Sequence, residues 1–130
     1  MDRLSTTSPC VKVVADSLRT IDGLRDYLTQ AGVGSHVTRE LVSASAIPPE
    51  ITAVVLFPDE FVTEVVEKTV LDWRSARPEL LILVVTTTPQ AYRVALAPDG
   101  VSYLPVVVPK PAFGWTLLDS IRSHADAERR

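Results

Sequence analysis

Ala53-Val54-Val55-Leu56-Phe57-Pro58-Asp59-Glu60-Phe61 is the stretch whose reading decides the fold. The apolar run before the proline is rich in β-branched residues and too short for a helix. That is the pattern of a strand buried on both faces, expected here over Ile51 to Phe57. Two further runs have the same character. Leu80 to Val85 is continuously apolar, and Val11 to Ala15 is a short β-branched run that ends on Asp16 and Ser17, a plausible helix cap.

Between these runs the period changes to that of a helix. Leu18, Ile21, Leu24 (or Arg25), Leu28 and Ala31 share one face, and Gly32 and Gly34 follow as a stop. The clearest helix is expected over Asp59 to Arg77, with Val62, Val65, Val66, Thr69, Val70 and Trp73 as its stripe and Pro78 as its end. A second strand is expected over His36 to Val42, with Val37 and Leu41 buried, and a fifth over Val101 to Val108 after the Pro98-Asp99-Gly100 turn. Ser43 to Pro49 leaves room for barely one helical turn. Gln90 to Leu96 fits a short helix, and a last one is expected from about Phe113 to His124 with Trp115, Leu118 and Ile121 facing inward. Strand and helix thus alternate five times, which predicts an α/β sandwich with a parallel sheet and right-handed crossovers. Residues 1–10 read as a flexible leader, 11–124 as one domain and 125–130 as a polar tail.

Composition narrows the function classes. The chain has 130 residues, 46% hydrophobic and 22% charged, which suits one globular domain. A net charge of −3 with scattered basic residues gives no stripe for nucleic acid. One cysteine, Cys10, allows no internal disulfide and fits a reducing, cytoplasmic setting. No apolar run approaches a membrane span, and neither a glycine-rich phosphate loop nor a Ser-His-Asp pattern is visible. His36 and His124 lack metal-ligand spacing, so both read as surface residues.

In parallel sheets the working residues collect at the carboxyl ends of the strands. Those ends carry Asp16, Pro58-Asp59, Thr86 and Lys110-Pro111. In that arrangement the chain resembles the receiver domain of bacterial two-component response regulators, over Val11 to about Ser123. The resemblance implies a CheY-like, flavodoxin-like three-layer α/β/α sandwich with strand order 2-1-3-4-5. In such domains an acidic pair and an acceptor aspartate hold Mg²⁺, a hydroxyl engages the incoming phosphoryl group, and a lysine pairs with its charge. Carried over residue by residue, the acidic pair falls on Ala15-Asp16. The acceptor position falls on Pro58, with Phe57 as the off-by-one alternative, and neither can be phosphorylated. Thr86 matches the hydroxyl, and Lys110 and Pro111 match the Lys-Pro pair, at which the resemblance implies a cis peptide.

The residues alone leave other readings open. Asp16 serves equally well as a helix cap, Thr86 as a strand-end residue, and Lys110 as half of a structural ion pair, with Asp16 the expected partner. The pocket is therefore expected to lack an ionisable acceptor and to bind Mg²⁺ weakly or not at all. The expected function is that of a stand-alone pseudo-receiver, not an enzyme and without a cofactor. It would act as a phosphorylation-independent protein-interaction module in bacterial signalling or protein localisation. Its partner would be a signalling or localisation protein or a second copy of itself, and the resemblance implies a contact face on the fourth helix, fifth strand and fifth helix, supplied by Tyr92, Arg93, Tyr103 and Phe113. Two alternatives stand beside it: a phosphorylatable receiver using Asp59 or Asp16 with Mg²⁺, and a flavodoxin-like small-molecule binder.

Overall fold

A computed structural model describes residues 10–110 and 114–128. Strand β1 (Cys10–Val14) lies in a parallel sheet, between β2 (Gly34–Thr38) and β3 (Ala53–Leu56). Strands β4 (Leu81–Val85) and β5 (Val106–Val108) extend the sheet beyond β3, giving the order β2-β1-β3-β4-β5. Strand alternation feeds two cores. Val11, Val13, Val55 and Leu83 point to one face and pack against α1 (Leu18–Gln30) and α4 (Gly114–Glu128). Val14, Val54, Leu56, Ile82 and Val84 point to the other, against α2 (Thr63–Ala76) and the four-residue α3 (Arg93–Leu96). All four residues of β3 and all five of β4 are buried, as expected for strands covered on both sides.

Ser17 caps α1, its Oγ accepting from the Thr20 amide at 3.4 Å. Gly32 closes the helix at φ 80°, a conformation that costs glycine nothing.

Several boundaries differ from the sequence expectation for physical reasons. β2 begins at Gly34 and stops at Thr38, because it pairs with the five residues of β1 from Cys10↔Gly34 to Val14↔Thr38. Leu41 and Val42 pack against the second core from a loop instead. The helix expected from Asp59 is split. Pro58–Glu60 form a separate 3₁₀ turn, Phe61 is extended, and α2 starts at Thr63. Its buried stripe is Val66, Val70, Trp73 and Arg74, while Val62 and Val65 stay exposed. β5 is limited to three residues, since Asp99 and Gly100 (φ 75°) form a turn and Pro105 has no amide for the ladder. α4 continues through 125–128, into the expected tail, and buries Leu117, Leu118 and Ile121 while Trp115 stays 58% exposed. The expected leader over residues 1–9 lies outside the described residues, and Cys10 belongs to β1. Among the described residues no helix is long and apolar enough to cross a membrane.

Candidate functional site

The site lies at the carboxyl edge of the sheet and is built by the turn after β3. The Phe57 amide donates to the Val14 carbonyl at 3.0 Å, so the chain still runs beside β1 as it leaves the strand. Alternation sends the Phe57 side chain into the α1–α4 core. Pro58, buried, opens the 3₁₀ turn at a position where its missing N–H costs nothing. The turn then aims two consecutive carboxylates in different directions.

Asp59 faces β4 and β5. Thr86, the first residue beyond β4 and 1% exposed, donates its hydroxyl proton to the Asp59 carboxylate, with oxygen separations of 2.7 and 2.9 Å. The Tyr92 hydroxyl donates to Oδ1 at 2.8 Å, and Lys110 Nζ lies 3.3 Å from Oδ2. Thr86 is itself fixed, its amide donating to the Val108 carbonyl and its Oγ1 accepting from the Thr88 amide at 3.0 Å. Burial pushes the Asp59 carboxyl up. The hydrogen bonds from Thr86, Tyr92 and Lys110 and the Lys110 charge outweigh it and hold the group below its ordinary value. Tyr92 is pushed up to about 12 by burial and by the hydrogen bond and charge of Asp59. The two shifts agree: the carboxylate is ionised and the phenol keeps its proton.

Glu60 faces the other way. Its Oε1 accepts the amides of Asp16 and Ser17 at 2.6 and 2.8 Å, so a carboxylate from the β3 turn sits on the N-terminus of α1. Asp16, more than half exposed, turns outward to Arg39. Arg39 Nε donates to the Asp16 carbonyl at 3.0 Å, and the two charges meet at 3.4 Å.

These contacts correct the sequence reading at three points. The pocket does contain an ionisable acceptor-type group: Pro58 takes the place after the strand, but the turn it starts brings the Asp59 carboxylate in. Lys110 pairs with Asp59 instead of Asp16, because Arg39 holds Asp16 at the surface. Tyr92 is 3% exposed and anchors inward, so it is not a surface contact. Arg93 is exposed, and the Tyr103 ring packs edge-on against His124 with centroids 4.8 Å apart. His36 is exposed and His124 half-buried. Pro111, with the expected cis bond, and Phe113 lie outside the described residues. Glu60, Arg39 and the inward role of Tyr92 were missed. The adjacent acids Asp59 and Glu60 were visible, but nothing in the spacing fixes which way each points.

Mg²⁺ held as in receivers would need one or two carboxylates free to complete an octahedral shell with water and phosphate oxygens. Asp59 is filled by two hydroxyls and an ammonium, Glu60 by two amides, and Asp16 by Arg39. Among the described residues no three His, Cys, Asp or Glu side chains converge to hold a metal. The residues present do not fit the Mg²⁺ site.

An open cavity of about 710 Å³ lies between α1 and α4, walled by Leu24, Tyr27, Phe57, Val85 and Leu117. Thr20, Glu60 and Lys110 on its wall already have partners within the fold.

The architecture matches solved structures closely. A CheY-like response regulator receiver domain protein from Methanospirillum hungatei superposes with a TM-score of 0.64 at 19% identity, covering 94% of this chain and 97% of that one. The chain has the receiver fold. The signal receiver domain of an HD domain-containing protein from Pseudomonas fluorescens gives a TM-score of 0.68 at 14% identity, over 98% of this chain and 94% of that one. A putative pilus assembly-related protein from Burkholderia pseudomallei gives 0.67 at 15%, over 97% and 96%. No protein-family profile and no curated protein sequence matches the chain. Within this receiver fold, the edge that carries the chemistry in response regulators is here spanned by one turn with two anchored carboxylates.

Proposed function

We propose that this protein is a phosphorylation-independent interaction module, a pseudo-receiver of bacterial-type signalling or localisation that binds a partner in the cytoplasm and catalyses nothing. The observation that carries the reading is the Asp59 carboxylate, which already holds Thr86, Tyr92 and Lys110. In receivers the hydroxyl and the lysine answer the arriving phosphoryl group. Here a built-in anion occupies both, so the fold is held in one arrangement without a chemical event.

The contact face follows from exposure. Val94 on α3, Val101 and Leu104 in the loop after it, and Val106 and Val107 on β5 are all exposed, beside Arg93 and Tyr103. Exposed apolar residues along this edge, with an arginine and a tyrosine among them, suit a protein partner, a second copy being one candidate.

A second reading has a specific observation in its favour. Asp59 lies against the threonine and lysine that would assist an acceptor. Against it, acyl-phosphate formation needs a free carboxylate oxygen with its charge offset by metal, and both oxygens are engaged. The α1–α4 cavity would suit a small-molecule binder, but such sites need convergent polar groups with capacity to spare, and Thr20, Glu60 and Lys110 are committed.

Incubation with acetyl phosphate and Mg²⁺, read by intact-protein mass, decides between the first two. The expected spectrum is unchanged, and beryllofluoride leaves the thermal midpoint where it was. A stoichiometric aspartyl phosphate that disappears in Asp59→Asn would replace the proposal with the second reading.

A further inference from the structure

The two edges of the sheet are finished differently. Strand β5 has three residues between Pro105 and Pro109, too short and too proline-bound to offer a row of amides to another chain. Strand β2 has none of these guards. Gly34-Ser35-His36-Val37-Thr38 contains no proline, lysine or carboxylate, and its register with β1 is unbroken over all five residues. The Ala15 amide donates to the Thr38 carbonyl, so alternation turns the main-chain groups of Gly34, His36 and Thr38 toward β1. Those of Ser35 and Val37 turn outward, on a side where no described strand pairs. Access to that edge is open as well. Where the neighbouring crossovers carry α1 and α2, the one from β2 to β3 has only the three-residue turn Ala44–Ala46. Val37 packs toward the first core, and on the opposite face His36 is exposed and its neighbour Lys12 only half-buried.

We propose that β2 is a self-association edge, pairing antiparallel with β2 of a second copy about a two-fold axis through His36. The strand is complementary to itself. In that register Ser35 of one copy lies opposite Val37 of the other, twice over. Each such pair exchanges both main-chain bonds, about four hydrogen bonds in all. On a chain of net charge −3, no carboxylate on either strand opposes another. The guarded edge fixes the occupant. With β5 closed, copies cannot add β2 onto β5 in an open fibre, so the free edge meets its like and assembly stops at two. An interface of this size is small and holds weakly. The inference goes beyond the proposed function, whose contact face lies toward β5. A dimer built on β2 leaves that face free on both copies and makes the module bivalent.

Sedimentation equilibrium and residue-resolved amide exchange on the full chain test the edge without any partner. The wild-type protein should move toward dimer mass as its concentration rises to about 1 mM. Over the same range the Ser35 and Val37 amides should slow about threefold, while those of Gly34, His36 and Thr38, already bonded to β1, stay as they were. Ser35→Pro removes an outward amide without touching the β1 ladder and should be monomeric throughout. Ser35→Ala keeps the amide and should dimerise as wild type does. Should the proline variant fail to fold, the odd–even exchange pattern of the wild-type protein decides alone. A wild-type protein that stays monomeric at 1 mM would overturn the edge, as would a dimer that persists in folded Ser35→Pro. Equal slowing of all five amides would also overturn it, since general tightening has no odd–even alternation. None of these outcomes touches the mass of the acetyl phosphate-treated protein, from which the proposed function is read.

Discussion

Asp59→Ala should unfold at a denaturant midpoint corresponding to a loss of about 2–4 kcal/mol, far more than removal of a surface acid costs. The magnitude comes from what is stranded. Thr86 and Tyr92 are 1% and 3% exposed, and each hydroxyl loses the carboxylate that it donates to. A buried polar group left unsatisfied costs about 1–3 kcal/mol. Lys110 adds little, because its side chain is about one-third exposed and water replaces the lost partner. Each hydroxyl keeps one lesser contact, Thr86 accepting from the Thr88 amide and Tyr92 hydrogen-bonding the Thr63 side chain, which holds the loss below the sum of two fully stranded groups. The same network predicts an acid limb. Asp59 has a folded-state pKa below its ordinary value, so its contribution is fully present above the unfolded carboxylate range near pH 4 and is lost as pH falls through the folded value. Asp59→Asn should flatten that part of the stability–pH curve while leaving the neutral plateau only partly lowered, since the amide oxygen still accepts one hydroxyl. A wild-type-like midpoint for the alanine variant at neutral pH would mean that the network is decorative.

The contrast between fold and site shows what a sequence alone makes legible. The sheet was readable because β3 and β4 are uninterrupted apolar runs whose burial needs no detailed geometry. Alternation with helices then left few topologies. Errors gathered where a short polar segment chooses its own direction. Asp59 and Glu60 are neighbours of like charge, and in a continuous helix both would have faced solvent. The 3₁₀ turn opened by Pro58 instead separates them, one toward Thr86 and one toward the Asp16 amide. That outcome depends on donors 27 and 44 residues away, which no local pattern encodes. Trp115 failed in another way. It belongs to the helical period, but α4 has Leu117, Leu118 and Ile121 to bury, and its rotation leaves the indole outside.

Arg74 is the residue whose removal should do the most damage away from the pocket. In the sequence it directly follows Trp73, the last residue of the apolar stripe of α2. In the fold it is 3% exposed, with Nε donating to Ser102 Oγ at 2.9 Å, NH1 to two carbonyls and NH2 lying 3.5 Å from the Asp99 carboxylate. One guanidinium thus ties α2 to both α3 and the loop that leads to β5. Arg74→Ala should cost about 3–5 kcal/mol, from two main-chain carbonyls losing their donor and the volume of a buried side chain left empty. Asp99 is exposed enough to be rehydrated and contributes little to that figure, so the loss resides in the Ala95 and Ala97 carbonyls and the emptied volume. Arg74→Met separates those two causes. Methionine fills most of the space, and apolar replacement of a buried ion pair is often harmless when no other polar group depends on it. Here two main-chain carbonyls do depend on it, so Arg74→Met should remain about 2–3 kcal/mol below wild type. Lysine should recover only part of the loss, because a single ammonium cannot reproduce the planar fork that reaches Ser102 and both carbonyls together. Chemical denaturation of the three variants gives the ordering directly. A methionine variant as stable as wild type would show that α3 is held by packing alone.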